Sequence, residues 1–320
     1  MEKNIDYLRL SVTDRCNLNC LYCNPLEKGQ FLTHDQVLRY EEMYRLVKIC
    51  VRWGIRAVRI TGGEPLIKKN ITRLIRMLKQ IKELKELTMT TNGVYLKDTA
   101  GELKAAGIDR INVSIDTLQK EKYKAITGAD CFEQVWQGIG ETLKAGLAPV
   151  KLNVVVLKGI NDDEVLDFAR LTFKYPLSIR FIEFFPTNRR TEELAHYIIG
   201  NLEIKKKLIT YFGEMRKAAE IKGRGPAEYY QYKDAKGLIG FINSYSKDFC
   251  NQCNRVRIDC AGRVSPCLFS GHIYDLRQAL RNGKNDYELG MLINNVFEMK
   301  AGYNKKTKNN CKIEMSSIGG

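Results

Sequence analysis

Hydrophobic and polar positions run along the first two-thirds of the chain in two alternating rhythms. Short, β-branched and apolar stretches recur at "DYLRLSV" (6–12), "IRAVRIT" (55–61), "ELTMTT" (86–91), "DRINVSID" (109–116), "VKLNVVVLKG" (150–159) and "LSIRFIEFF" (177–185). Between them apolar residues return at helical spacing over 33–54, 70–83, 96–107, 132–146, 162–174 and 191–212. Thr33 is placed to cap the first of these helices and Gly54 to stop it. Six strand–helix units predict a parallel sheet with right-handed crossovers. Such a sheet curls into a partial (β/α)6 TIM-type barrel, with its chemistry at the C-terminal ends of the strands. Polar signatures stand there: a cysteine loop after the first strand, "TGGEP" after the second, "TTNG" after the third and "SID" after the fourth. The rhythm stops near Glu220, so the expected boundary divides 1–222 from 223–320. Beyond it come the turn cluster and aromatic strand "KGRGPAEYYQY", a hairpin-like "GLIGFI", a second cysteine cluster and a polar, Lys-rich tail expected to be loosely ordered.

Composition narrows the class of partner. The 320 residues are 44% hydrophobic and 28% charged, ordinary for a soluble globular protein. No run approaches twenty apolar residues, and no apolar segment follows the N-terminus, so a cytoplasmic protein without a membrane partner is expected. Ten cysteines in that compartment point to metal or redox use and not to disulfides. The net charge of +15 favours an anion, either nucleic acid or a polyphosphate metabolite. Its placement is more telling. Arg9, Arg59, Lys151 and Arg180 interrupt strands that should be apolar runs. A buried cation without a counter-charge costs several kcal/mol. One such residue is met by a nearby carboxylate such as Glu183, or lies exposed at a strand end; four together predict a cavity built for an anion. Arg255 and Arg257, two apart, point the same way if they share a strand.

Candidate metal chemistry lies in two clusters. "DRCNLNCLYC" places Cys16, Cys20 and Cys23 in a C-x3-C-x2-C loop with no nearby fourth ligand. Structural zinc wants four ligands. Three thiolates suit three corners of a cubane, leaving one iron open, against a degenerate zinc or redox loop as the plainer reading. "FCNQCNRVRIDCAGRVSPCL" holds Cys250, Cys253, Cys260 and Cys267, a metal site that a four-cysteine zinc would also satisfy. Cys50, Cys131 and Cys311 have no ligand neighbour at short spacing and read as structural or incidental.

The first loop, with Tyr22 before its last cysteine, and the downstream "TGGEP" resemble the radical S-adenosylmethionine (SAM) superfamily. The resemblance implies that SAM chelates the open iron and is cleaved by one electron to a 5′-deoxyadenosyl radical. The C-x2-C-N-R-x-R run, the C-x13-C spacing and the terminal "MSSIGG" resemble, within that superfamily, the GTP 3′,8-cyclase family of molybdenum cofactor biosynthesis. This implies two 4Fe-4S clusters, held by Cys16, Cys20 and Cys23 and, in the C-terminal extension, by Cys250, Cys253 and Cys267. It implies GTP contacts at Arg9, Arg59, Thr90, Lys151, Arg255 and Arg257, with Arg180 a further basic position. Tyr22, Gly63, Ser114 and Phe185 match positions lining SAM, and Gly319 and Gly320 would enter the active site and assist the radical step, with Arg9. Phe185 stands where methionine is frequent, Ala57 where some members carry lysine (Arg56 being a candidate substitute), and Cys260 is an addition expected to face away from the cluster. The implied partners are GTP, a one-electron reductant and cyclic pyranopterin monophosphate synthase downstream, with no nucleic acid, in a monomer or homodimer. A peptide-modifying radical enzyme is the alternative within the superfamily. A zinc-ribbon RNA binder is the alternative outside it, and it leaves the first three cysteines unexplained.

Overall fold

A computed structural model describes residues 4–23, 31–186, 189–218, 225–244, 246, 253–268 and 270–301. One sheet of twelve strands organises it. The first six are β1 (Tyr7–Ser11), β2 (Ala57–Thr61), β3 (Glu86–Thr91), β4 (Arg110–Ser114), β5 (Val150–Val156) and β6 (Leu177–Glu183). They pair in sequence order, each parallel to the last, as the alternating pattern predicts. The sheet stays open between β1 and β6. The later strands are β7 (Arg216–Lys217), β8 (Glu228–Gln231), β9 (Leu238–Ile242), β10 (Arg255–Ile258), β11 (Arg263–Ser265) and β12 (Tyr274–Asp275). They extend both edges, β10 joining β1 and β9 joining β6, each in parallel.

The hairpin expected at "GLIGFI" is therefore a single strand. β9 lies parallel to β6 on one side and antiparallel to β8 on the other. The apolar residues of the segment suit either arrangement, and only β6, far away in sequence, selects the parallel one.

Helices cover the outer face of the sheet. They are α1 (Tyr40–Arg52), α2 (Ile71–Lys79), α3 (Leu96–Ala106), α4 (Lys120–Thr127), α5 (Phe132–Lys144), α6 (Val165–Lys174), α7 (Arg189–Glu192), α8 (Asn201–Phe212), α9 (Leu276–Arg281) and α10 (Asp286–Ala301). In α1 the buried Met43, Leu46, Val47, Cys50 and Val51 form one helical stripe. Two expected helices are broken. Residues 33–54 split into a 3-10 turn at His34–Gln36 and α1, because Val37 is extended. Thr33 does open that turn, with its N–H donating to Gln36 Oε1 at 2.9 Å. Residues 191–212 split at the extended Gly200, which precedes α8. Among the described residues no helix is long and apolar enough to cross a membrane.

Strand register explains the charged residues in the strands. Leu8, Leu10, Val58, Ile60, Leu87, Met89, Ile111, Val113, Leu152, Val154, Ile179, Phe181, Val256 and Ile258 belong to the buried core under the helices. The alternate positions, Arg9, Arg59, Thr88, Arg110, Lys151, Arg180 and Arg257, fall on the opposite, concave face. Each strand is thus amphipathic: one face packs on helices and the other encloses a cavity. The concave face is curved enough for Arg59 on β2 to act electrostatically on both Lys151 and Arg180.

Candidate active site

The cysteine loop leaves β1 at the C-terminal edge of the sheet. Cys16, Cys20 and Cys23 are all half-buried there. The loop is pinned to the end of α4, where Asn19 N–H donates to the Thr127 carbonyl at 2.9 Å and Leu21 N–H to Ile126 at 2.8 Å. Burial pushes the thiols of Cys16 and Cys20 above their ordinary range. Burial with neighbouring like charges suits thiolates only once a cation or cluster neutralises them.

The glycine motif braces this loop from β2. A Cβ on Gly63 would sit 2.1 Å from the Arg15 carbonyl oxygen, and one on Gly62, at φ +151°, would sit 2.6 Å from that of Thr13. Gly63 N–H donates to the Thr13 carbonyl and Glu64 N–H to that of Arg15, both at 2.8 Å. The Glu64 carboxylate accepts from Leu66 N–H at 2.9 Å, Thr91 hydroxyl at 2.7 Å and Asn92 N–H at 2.6 Å. Burial raises it to about 7 against those three donors. Asn92 in turn donates from its side chain to Asn17 Oδ1 at 2.8 Å and faces Cys16 Sγ at 3.9 Å. The "TGGEP" and "TTNG" signatures are therefore one support for the cysteine loop. Glu64 and Asn92 escape motif reading because their partners lie on other loops.

Tyr22 donates to Asp116 at 2.5 Å, and Asp116 accepts Val155 N–H at 2.8 Å. Burial raises this carboxyl to about 6. Asp116, in the "SID" signature, thus ties the cysteine loop to β5. Ser114 ends β4 beside Asn153 of β5.

A cavity opens on the concave face, with about 1360 Å³ of atom-free space including its mouth. Tyr22 and Phe185 line it near the cysteine loop; Arg9, Arg59, Thr90, Arg180, Arg255 and Arg257 line it further in. Register aligns three of these cations directly: Arg257 faces Arg9, and Arg9 faces Arg59, across three adjacent strands. Burial lowers the pKa of Arg9, and the like charges of Arg257 and Arg59 lower it further. Burial, then Arg255, brings Arg257 down to about 10. Arg110, on the same face, ion-pairs with Glu86. The Glu183 carboxylate accepts from Asn201 N–H at 2.9 Å and Ser246 N–H at 2.8 Å. The buried oxygens Tyr7 Oη, Thr90 Oγ1 and Asn153 Oδ1 have no hydrogen-bond partner among the described residues, and all three residues line this cavity. Like charges gathered around unsatisfied polar atoms describe a site shaped for a polyanion that also carries hydrogen-bonding groups.

Arg56 does not compensate for Ala57. Its guanidinium donates to the carbonyls of Val51 and Ile55 at 2.8 and 2.9 Å, at the end of α1. Odd and even strand positions face opposite ways, so Arg56 and Ala57 cannot exchange roles.

Lys151 provides a pH test. Burial, with Arg180, Arg110 and Arg59 nearby, lowers it from an ordinary 10.5 to about 6. At pH 8 the ligand-free protein then holds it neutral, whereas a bound polyanion restores the ammonium. Binding should take up about one proton per ligand and weaken as pH rises through the window between those values. Calorimetry in buffers of different ionisation enthalpy reads this directly, and the uptake should vanish in Lys151→Met. With the unfolded chain binding the extra proton, ligand-free stability should rise with pH over the same window.

The second cysteine cluster reaches the far end of the cavity. Cys253 and Cys267 both line it, and Cys250 lies outside the described residues. Burial raises the Cys253 thiol, but Arg255 and Lys300 outweigh it and bring it to about 6. That is a thiolate-favouring site, the state in which cysteine binds metal. Cys260 follows β10 and is 1% exposed; it lies near Ser11, Asp259, Asp14 and Lys68. It is not among the cavity-lining residues. Among the described residues no three His, Cys, Asp or Glu side chains form a group able to hold a single ion. Three cysteines on one loop fit instead a cluster that is bound at separate irons. Cys50 is core. Gly319, Gly320 and Cys311 lie outside the described residues.

An open, mostly parallel α/β sheet with a three-cysteine loop after its first strand defines a radical SAM protein. Residues 10–172 match the Radical SAM superfamily, and residues 177–306 match Molybdenum Cofactor Synthesis C. The chain is 44% identical over 298 residues to GTP 3′,8-cyclase of Heliobacterium modesticaldum, covering 93% of this chain and 91% of that one. It is 40% identical over 320 residues to GTP 3′,8-cyclase of Pelotomaculum thermopropionicum, covering 100% and 98%. The chain belongs to the GTP 3′,8-cyclase family. Membership of the superfamily brings SAM and an iron–sulfur cluster with it. Among solved structures, Streptococcus suis SuiB bound to SAM shares the fold at TM-score 0.61 and 15% identity, over 83% of this chain and 62% of that one.

Proposed function

We propose that this protein cyclises GTP to 3′,8-cyclo-7,8-dihydro-GTP, the first step of molybdenum cofactor biosynthesis. One observation carries the reading. The cations Arg257, Arg9 and Arg59 stand in register beside Cys253 and Cys267, in a cavity that Tyr22 of the first cysteine loop also lines. Cys16, Cys20 and Cys23 would hold one 4Fe-4S cluster; Cys250, Cys253 and Cys267 would hold a second, in the auxiliary segment 223–320. The first cluster with SAM supplies a carbon radical able to take the ribose 3′ hydrogen.

The chain's own residues do the positioning. Tyr22 and Phe185 wall the adenosyl side; Gly63 and Ser114 complete that end. Arg9, Arg59, Lys151, Arg180, Arg255 and Arg257 hold the triphosphate and ribose, with Thr90 donating or accepting a hydrogen bond. Gly319 and Gly320 would bring bare backbone to the reacting ribose, a place where side chains would crowd it. Holding two ligands in one orientation removes the entropic part of the barrier. A one-electron reductant supplies the cluster, and the product passes to cyclic pyranopterin monophosphate synthase. A cytoplasmic monomer or homodimer would serve this role.

Anaerobic incubation with SAM, dithionite and GTP should release 5′-deoxyadenosine only when GTP is present. Iron should be about eight per chain, falling to about four in Cys253→Ala. Release that is independent of GTP would end this reading and favour a peptide substrate.

A further inference from the structure

The apolar face of α10 is interrupted by a lysine. Leu289, Ile293, Val296, Phe297 and Lys300 recur at helical spacing, and all are buried. The last position of that stripe calls for a hydrophobe. Lys300 is 2% exposed there and lines the cavity beside Cys253 and Cys267. Among the described residues it makes no ion pair with a carboxylate. The negative end of the helix dipole would favour a cation in this last turn, but an exposed lysine gains as much without paying for burial. A local rule broken inside a cavity marks a functional position more often than a structural one.

We infer that Lys300 is a specificity-determining residue whose ammonium reads the O6/N7 acceptor edge of the guanine base. This rests on the GTP reading above. The triphosphate has its own cations on the strands, Arg9, Arg59 and Lys151 among them. Lys300 comes instead from the helix beyond the second cysteine segment, at the end where the purine would meet the second cluster. Guanine presents two acceptors, O6 and N7, to such a donor; adenine presents an amino group in place of O6. A ring without O6 therefore keeps only the N7 half of the contact.

The test measures binding, not turnover, on the cluster-loaded protein under anaerobic conditions. Dissociation constants for GTP and for 2-aminopurine riboside triphosphate, which lacks O6, are compared in wild type, Lys300→Met and Lys300→Gln. GTP binding should weaken roughly thirty-fold in Lys300→Met, the size of one charge-assisted hydrogen bond. Lys300→Gln, a neutral donor, should lose less. The 2-aminopurine nucleotide, which keeps N7 but lacks O6, should lose clearly less than GTP in Lys300→Met. Equal weakening of both nucleotides, or unchanged GTP binding, overturns the inference. So does loss of second-cluster iron in both variants, which would assign Lys300 to holding the cluster. Failure of wild type to bind GTP at all would instead sink the substrate reading, and this inference with it.

Discussion

Arg9→Met is expected to cripple nucleotide binding. Arg9 is 5% exposed, sits between Arg257 and Arg59 in strand register, and feels both as like charges. The substitution removes one of three aligned guanidiniums from the phosphate site. A buried charge contact of that kind is worth several kcal/mol, so GTP affinity should fall about 100- to 1000-fold. Isothermal titration with GTP measures the loss. A variant that still binds GTP tightly would contradict the idea that these cations are gathered for an anion.

The second large effect is expected at Gly63. Its Cβ position lies 2.1 Å from the Arg15 oxygen, 2.5 Å from the Arg15 carbonyl carbon and 3.0 Å from the Cys16 nitrogen. These are backbone atoms, so no side-chain rotation relieves the overlap. Gly63→Ala must push the segment entering the cysteine loop, breaking the hydrogen bonds from Gly63 and Glu64 to Thr13 and Arg15. The first cluster should then fail to assemble, with iron falling from about eight to about four per chain and 5′-deoxyadenosine release lost. Gly101→Ala is the matched control. Nothing lies within 4 Å of its Cβ position, on an exposed turn of α3, so iron should be retained and the helix modestly stabilised. Full iron in Gly63→Ala would show that the loop tolerates displacement, and that the glycine serves only to leave space for a ligand.

The two expectations draw on different levels of information. The glycine motif and the cysteine loop can be read as separate signatures. That one is a buttress for the other follows from distances between loops 47 residues apart in number, Cys16 and Gly63. Asp116 and Asn92 belong to signatures visible after strands four and three, yet their contacts with Tyr22 and Cys16 come from chain closure. The broken helices at Val37 and Gly200 escape pattern reading because apolar spacing continues through both breaks. Lys300 is legible only as an irregularity in an otherwise apolar stripe, and its meaning depends on which surface that stripe covers.

The chain's own order of residues determined the alternating architecture, the thiol spacing and the identity of the cations, because these depend on periods of two and 3.6 residues and on ligand chemistry. What only the tertiary structure decided is which cations are neighbours, which carboxylates are already engaged, and which side of the sheet is hollow. Register brings Arg257 beside Arg9 although 248 positions separate them, while the same folding gives Arg110 to Glu86 and ties Arg56 to the end of α1. Charges interact through space, and the sum that distinguishes a binding site from a satisfied ion pair exists only after the strands have met.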